Sequence, residues 1–202
     1  MLGLAHLTPQ EVRELIRKND INQPTSGMCK GHIQANVVIV PKSLAYDFLL
    51  FAQRNPKSCP VLDVTDVGSA EPRLMAKGAD LRFDVPKYRI YQFGKLVDEV
   101  PDLRDYWRDD LVCFLLGCSF SFESALANAA IPIRHIEDNH NVPMYITNIE
   151  TEPAGQFHGK MVVSMRPIPY QLVTRAVQAT SRFPQVHGAP IHIGDPSLIG
   201  IK

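Results

Sequence analysis

The stretch from residue 111 to residue 130 constrains the fold of this chain most. Leu111 to Leu116 is a continuous apolar run, which is typical of a strand buried on both faces. The tight turn Gly117-Cys118-Ser119 follows, and Glu123 to Ala130 is rich in Ala and Leu, which favours a helix. Ligands of α/β sheets gather at the carboxyl ends of strands, where helix N-termini offer free N–H groups. The sequence therefore predicts an α/β fold with a candidate site directly after residue 116.

The rest of the chain carries helical and strand patterns. Thr8 and Glu11 form a capping box around Pro9, which suits the first position of a helix, and Ser43 is placed to cap a second helix. The further patterns predict these elements in chain order: helix Pro9–Lys18, strand Val37–Val40, a helix from Ser43 to Asn55, strand Val61–Val64, hairpin strands Tyr88–Gln92 and Lys95–Val100 around Gly94, a short polar helix near Asp102–Asp110, strand Val142–Ile149, strand Met161–Arg166, helix Pro169–Arg182 and strand Pro190–Ile193.

A chain of 202 residues is long enough for one domain or two small ones. In its last third the predicted strands and helix alternate in the order strand, helix, strand, as in an α+β sandwich. We therefore predict a three-layer α/β unit over residues 1–134 and a smaller, two-layer α+β sandwich unit over residues 135–202.

Composition excludes several classes of function. The 21 basic residues balance 21 acidic ones, so the broad positive field that drives nucleic-acid binding is missing. No apolar run reaches the roughly 18 residues that a membrane span requires, and the first residues lack the pattern of a signal or transit peptide. The four cysteines form no CxxC pair and are interpreted as reduced thiols. We expect a cytoplasmic protein that binds neither nucleic acid nor membrane.

The turn after the buried strand supplies the first candidate residues. Cys118 precedes a helix whose N–H dipoles lower the pKa of a thiol, which would make it a nucleophile; equally, cysteine suits a crowded turn because it is small. Ser119 and Ser121 either cap the helix or face a ligand. Glu123 lies in the first helical turn, where the dipole favours a carboxylate with or without a catalytic role.

His135 is the best candidate for moving protons. It belongs to a run of ionisable residues, from Arg134 to Asn141, that can supply a general acid or base near neutral pH. The alternative is that this run is a solvated loop. Ile133 and Ile136 flank the histidine, and we expect them to seat it at the end of a strand.

Three candidates for substrate binding lie next to strands. Arg166 ends a predicted strand, where its guanidinium could clamp a carboxylate bidentately or form a structural ion pair. Gln34 and Asn36 precede a strand, and their amides either recognise donors and acceptors of a ligand or form a turn.

Arg82, His187 and His192 complete the candidates. Arg82 alternates with two aspartates, which puts all three on one face of an extended segment, either as a surface ladder or as a binding edge. His187, His192 and Asp195 have ligand types that suit zinc or iron, but their spacing matches no compact metal motif and the surrounding Gly and Pro residues indicate turns. We interpret both histidines as hydrogen-bonding groups for a substrate and predict no metal site.

Several short strings resemble the D-glutamate cyclase family, whose bacterial members carry a hydro-lyase label. The resemblance covers nearly the whole chain in the right order. The strings are Thr25-Ser26-Gly27, Gln34-Ala35-Asn36, Asp80-Leu81-Arg82, Gly117-Cys118-Ser119-Phe120-Ser121-Phe122-Glu123, Asn141-Val142-Pro143-Met144-Tyr145, Ser164-Met165-Arg166-Pro167, and His187-Gly188-Ala189-Pro190 with His192-Ile193-Gly194-Asp195-Pro196.

The resemblance implies two α/β units, one with three layers and one a two-layer sandwich. It implies a lyase that eliminates water from a small amino or hydroxy acid, with cyclisation of D-glutamate to 5-oxo-D-proline as the characterised reaction. Family members usually continue past the Gly-Asp-Pro segment, whereas this chain stops at Lys202. We expect that a pocket or sheet that needs the further stretch is incomplete in this chain, and that strand edges left open favour self-association into a homo-oligomer.

The implied reaction needs no redox cofactor, and we expect no cofactor. Arg166 would anchor a carboxylate of the small carboxylic-acid substrate, N–H groups after Cys118 would stabilise an oxyanion, and His135 or Glu123 would move protons. A thioester on Cys118 is an alternative route. Two other classes of function stay open: a non-catalytic module that binds small carboxylates, and a cysteine-dependent hydrolase or transferase.

Overall fold

A computed structural model describes residues 2–138 and 140–202 of the chain. Short 3₁₀ helices lie at Leu2–Leu4, Ser119–Phe122, Tyr170–Leu172, Pro184–Val186 and Pro196–Ile199. The main elements are, in chain order, α1 (Pro9–Arg17), β1 (Ala35–Pro41), α2 (Lys42–Arg54), β2 (Val61–Val64), β3 (Tyr88–Gln92), β4 (Lys95–Val100), β5 (Leu111–Gly117), α3 (Glu123–Asn128), α4 (Arg134–Glu137), β6 (Met144–Glu150), β7 (Lys160–Ser164) and α5 (Val173–Thr180).

The strands form one sheet of three and two hairpins. In the three-stranded sheet the order is β1-β5-β2, with β5 in the centre. All residues of β5 are buried, which explains why its sequence is apolar at every position instead of alternating. The pairs β3–β4 and β6–β7 are antiparallel, each with one irregularity in register. The mixed α/β class predicted from the sequence is confirmed.

Local signals predicted most elements correctly. Thr8 and Glu11 form the expected capping box, and α1 begins at Pro9. The hairpin around Gly94 is also confirmed, because the glycine has the positive φ of 76° that this tight connection requires. The predicted strand Val61–Val64 is reproduced residue for residue.

Three local predictions are wrong. Helix α2 begins at Lys42, so Ser43 lies inside its first turn and does not cap it. Residues 102–110 form turns instead of a helix, because the Asp102 carboxylate accepts the N–H of Arg104 at 2.9 Å and competes with helical bonding. Residues 190–193 form no strand: the His192 ring donates to the carbonyl of Asp195 at 2.8 Å and closes a local turn.

The chain divides into two compact units, each assembled from several segments. The first comprises Met1–His32, Val37–Lys42 and Asp63–Leu115, and the second comprises Ile33–Asn36, Ser43–Leu62 and Leu116–Lys202. The predicted domain boundary near residue 134 stays a prediction.

The first unit has a small apolar core and two buried carboxylates, those of Asp63 and Asp84. The core is formed by α1 and the loop after it. The Asp84 side chain is 1% exposed and accepts two hydrogen bonds from Arg17, at 2.5 and 2.8 Å, and one from the N–H of Asp80 at 2.7 Å. These bonds satisfy a charge that would be costly to bury alone. The buried core residues are Val12, Ile16, Ile21, Met28 and Cys29.

The core of the second unit lies under the segment that follows β5. Phe122 and Leu126 contribute from the 3₁₀ helix and α3, Ala176 comes from α5, and Val186 comes from the 3₁₀ helix after it. Ile131 and Ile133 complete this core and lead directly into α4. The candidate residues after β5 are therefore positioned by a packed apolar layer.

Among the described residues, no helix is both long enough and apolar enough to cross a membrane.

A substitution at Gly117 tests the close packing at the end of β5. A Cβ at this position would lie 2.0 Å from the carbonyl oxygen of Gln185, far inside van der Waals contact. We expect Gly117→Ala to lower the free energy of unfolding by about 1–3 kcal/mol or more, measured by urea denaturation, because the backbone of Gln185 must move. Gly3→Ala is the matched control, since nothing lies within 4 Å of its Cβ. Equal stability of the two variants would contradict this packing.

Candidate active site

Three ionisable side chains of the second unit share one buried oxygen. The Oε1 atom of Glu123 accepts a hydrogen bond from Nη2 of Arg166 at 2.9 Å and another from Nε2 of His135 at 2.9 Å. The Glu123 and His135 side chains are 5% and 3% exposed, and that of Arg166 is 13% exposed. We call Arg166, Glu123, His135 and the adjoining Ser119 the buried network.

The network fixes the protonation state of His135. A carboxylate only accepts hydrogen bonds, so the Nε2 atom of His135 carries the hydrogen. Burial lowers the pKa of His135, the charge of Arg166 lowers it further, and the charge of Glu123 raises it in part. The ring is therefore neutral near pH 7, and its Nδ1 atom is the nitrogen that carries a lone pair.

Arg166 connects the network to its surroundings. Its Nη2 atom also donates to Oγ of Ser119 at 3.1 Å, and its Nη1 atom donates to Oγ of Ser164 at 2.9 Å. The guanidinium lies 5.3 Å from the ring centre of Phe122, which is a cation–π contact. Its Nε–H is buried and has no hydrogen-bond partner among the described residues. A ligand carboxylate would satisfy this donor.

Each member of the network is held by a short element. Ser119 and Glu123 belong to the 3₁₀ helix and the first turn of α3, which follow β5 directly. Arg166 comes two residues after β7. His135 lies on α4 and not at the end of a strand as predicted. Ile133 is buried in the apolar core and Ile136 packs against it.

Cys118 has surroundings that oppose the reactive thiolate predicted for it. Burial raises the pKa of its thiol above the ordinary value, and hydrogen bonds from the Phe120 backbone and the Asn36 side chain offset this only in part. The expectation of a lowered pKa is wrong, because desolvation outweighs the N–H dipoles of the helix end. The N–H groups of Phe120 and Ser121 are also engaged, by the thiol and the carbonyl of Cys118. An oxyanion site here would require these bonds to open.

Gln34 and Asn36 lie beside this turn. The Gln34 carbonyl accepts the N–H of Cys118 at 3.0 Å, and the hydroxyl of Ser121 bonds to both backbone groups of Gln34. Asn36 is exposed and its side chain reaches the Cys118 thiol. The structure therefore brings both predicted residues to the end of β5, where Gln34 makes its contacts through the backbone and Asn36 through its side chain.

Arg82 does not belong to this constellation. It lies in the first unit, in a turn and not in an extended segment, so the predicted ladder with two aspartates does not form. Its guanidinium pairs with Asp80 at 2.7 and 2.9 Å and lies over the rings of Phe83 and Trp107. Asp84 instead pairs with Arg17.

The two C-terminal histidines make local contacts. His187 has a positive φ of 76°, and its Nδ1 atom donates to the Lys57 carbonyl at 3.0 Å. His192 donates to the Asp195 carbonyl, and the Asp195 carboxylate caps the 3₁₀ helix that follows through the N–H of Ser197 at 2.9 Å. Within the described residues, no three side chains of His, Cys, Asp or Glu are grouped to hold a metal ion.

A family model and several known proteins match this chain, and their descriptions agree with one another. The family model described as D-glutamate cyclase matches residues 112–202. A protein of Psychrobacter arcticus, named "Putative hydro-lyase", is 86% identical over 201 residues, which are 100% of this chain and 76% of that protein. Proteins with the same descriptive name from Thermoanaerobacter sp. strain X514 and Geobacillus kaustophilus are 69% and 62% identical, over 99% and 100% of this chain and 76% of each relative.

The chain belongs to the D-glutamate cyclase/hydro-lyase family. The segment that matches the D-glutamate cyclase model contains every member of the buried network, from Ser119 to Arg166. It also contains Ser164 and Phe122, two contacts of Arg166 that sequence reasoning missed. Strand alternation could have indicated Ser164, because it lies two residues before Arg166 and so on the same side of an extended segment.

A double substitution tests whether Arg166 compensates the charge of Glu123. We expect Arg166→Met to lower the free energy of unfolding by about 3–5 kcal/mol, because it leaves a buried carboxylate without its cation. Adding Glu123→Gln should recover part of this loss, because the amide is neutral and still accepts a hydrogen bond from His135. Urea denaturation measures both variants.

The exposed Arg175 of α5 provides the matched control, and Arg175→Met should change stability by less than about 0.5 kcal/mol. The ion pair would be refuted as the main stabilising contact if the double variant were no more stable than Arg166→Met.

Proposed function

We propose that this protein is a hydro-lyase that eliminates water from a small amino or hydroxy acid, and that D-glutamate, cyclised to 5-oxo-D-proline, is its substrate. The observation that carries the proposal is the buried network, which lies inside the segment matched by the D-glutamate cyclase model. The hydro-lyase names of the similar proteins support the reaction class.

The chemistry of the reaction sets the requirements for the site. The amine nitrogen of glutamate attacks its own side-chain carboxyl carbon, so a C–N bond forms and a C–O bond breaks. The ammonium gives up two protons, and the departing oxygen leaves as water. The site must therefore hold a carboxylate, accept and return protons, and stabilise charge on a tetrahedral intermediate. No electron is transferred, so the reaction itself calls for no redox cofactor.

The buried network offers groups for each requirement. Neutral His135 accepts the two ammonium protons one after the other through Nδ1 and returns each to the departing oxygen, while Glu123 holds the Nε2–H and stabilises the imidazolium that forms in between. Arg166 provides the positive charge, and its unpaired Nε–H is the donor for a substrate carboxylate. Ser119 bonds to Arg166 and is only half-buried, so solvent reaches part of it, and we place substrate entry on its side.

A cysteine-dependent route is less well supported. The thioester alternative needs a thiolate at Cys118, whereas burial raises the pKa of this thiol. Direct attack by the amine needs no such intermediate.

The test is turnover of D-glutamate and L-glutamate, with 5-oxoproline separated by chirality and detected by mass spectrometry. We expect the D enantiomer alone to react. Glu123→Gln and His135→Gln should each lower kcat by about 100-fold or more, because they remove proton transfer, and Cys118→Ser should retain activity. The exposed His158 gives the matched control, and His158→Gln should behave as the unsubstituted protein.

The longer Psychrobacter arcticus relative is assayed in parallel. Turnover by neither protein would overturn the assignment of D-glutamate. Full activity in both Glu123→Gln and His135→Gln would leave the reaction in place and remove the network from it.

A further inference from the structure

The turn after α2 contains a lysine that contacts a distant loop of the same unit. The Nζ atom of Lys57 donates to the carbonyl oxygens of His187 and Ala189. The His187 ring donates in return to the Lys57 carbonyl at 3.0 Å. Lys57 thus holds the loop from His187 to Ala189 while its own side chain is half-buried.

This cation lacks an acidic partner. No Asp or Glu oxygen of the described residues lies within 4.0 Å of its Nζ atom. Carbonyl dipoles alone compensate the charge, and burial lowers the pKa of Lys57. An ammonium has three donors, and two of them are used, so one donor and much of the positive charge remain for an anion.

The adjacent residue provides a second donor without a partner. The hydroxyl oxygen of Ser58 is buried, and no hydrogen-bond partner for it exists among the described residues. A buried hydroxyl costs free energy unless a partner is supplied, and a ligand oxygen would supply it. Neighbouring Lys and Ser donors together suit a carboxylate.

The segments that carry Lys57 and its partner loop contact the end of β5. The carbonyl of Pro60 accepts the N–H of Gly117 at 2.8 Å, and the carbonyl of Gln185 packs against the Cα of Gly117. Gly117 is two residues before Ser119, which belongs to the buried network. The Lys57 turn and the loop it holds therefore flank the same segment that carries Ser119 and Glu123.

We propose that Lys57 and Ser58 form a second carboxylate subsite, so that a dicarboxylate substrate is held by these donors at one end and by Arg166 at the other. The inference rests on the proposed function for the identity of that substrate. A purely structural strap would explain the two carbonyl contacts of Lys57 but not the unpaired hydroxyl beside it.

Glutarate is the probe, because it has both carboxylates of glutamate but no amine and cannot cyclise. Pentanoate has the same chain with one carboxylate and serves as its partner. Isothermal titration calorimetry measures both ligands on the full 202-residue protein. We expect Lys57→Met to weaken glutarate binding about 10-fold or more and to change pentanoate binding less than about 2-fold, because a charged hydrogen bond is lost at one end only.

Two further variants separate binding from folding. Ser58→Ala removes an unpaired buried hydroxyl, so it should preserve or raise Tm and still weaken glutarate binding several-fold, a combination that a structural role would not produce. Lys57→Arg keeps the charge and should restore part of the affinity. The exposed Lys160 gives the matched control, and Lys160→Met should bind glutarate as the unsubstituted protein does.

The subsite is refuted if the unsubstituted protein shows no preference for glutarate over pentanoate, or if folded Ser58→Ala and Lys57→Met bind glutarate within about 2-fold of it. Failure of the proposed function gives a different result: glutarate binding that depends on Lys57 without turnover of D-glutamate. Turnover with an unchanged KM in Lys57→Met would retain the cyclase reaction and remove the subsite.

Discussion

A carboxylate buried at 5% exposure must be compensated, and the compensation of Glu123 shapes the second unit. Removing an ionised group from water costs several kcal/mol. Hydrogen bonds from a guanidinium and an imidazole to one carboxylate oxygen offset this cost only if both donors are held in place. The apolar core holds α3 and α4, which carry the Glu123 carboxylate and the His135 donor, while contacts with Ser164 and Phe122 hold the Arg166 donor. Because the partner of the histidine is an acceptor, the ring is oriented and its tautomer is determined. The same contacts therefore stabilise the buried charge and set the ring state that the proposed proton transfer requires.

The sequence predicts the parts of this arrangement that depend on local patterns. The apolar run of β5 and the capping box of α1 each follow from residues within a few positions of one another, and both are confirmed. Cys118, Glu123, His135 and Arg166 are chemically conspicuous, so they could be singled out before their positions were known. Their convergence could not be predicted, because the contact between Arg166 and Glu123 joins residues 43 positions apart.

The wrong predictions share a physical origin. For Cys118 the sequence indicates a helix end and its dipoles, but the extent of burial that raises the thiol pKa is a property of the folded unit. At Asp102 and His192, side chains that bond to nearby backbone compete with a helix and a strand that the residue pattern favours. Lys57 carries no sequence signal at all, because its partners lie about 130 residues away.

The protonation state of His135 is the most direct test of this account. With histidine ring nitrogens labelled with ¹⁵N and His135→Gln used for assignment, NMR reports the charge and tautomer of this ring between pH 5 and 8. The account predicts a neutral ring at pH 7 with hydrogen on Nε2, and a titration that lies below the ordinary pKa of 6.5, because burial and Arg166 disfavour the charged form. A ring that is charged at pH 7, or that carries its hydrogen on Nδ1 alone, would contradict both the hydrogen bond to Glu123 and the proposed base.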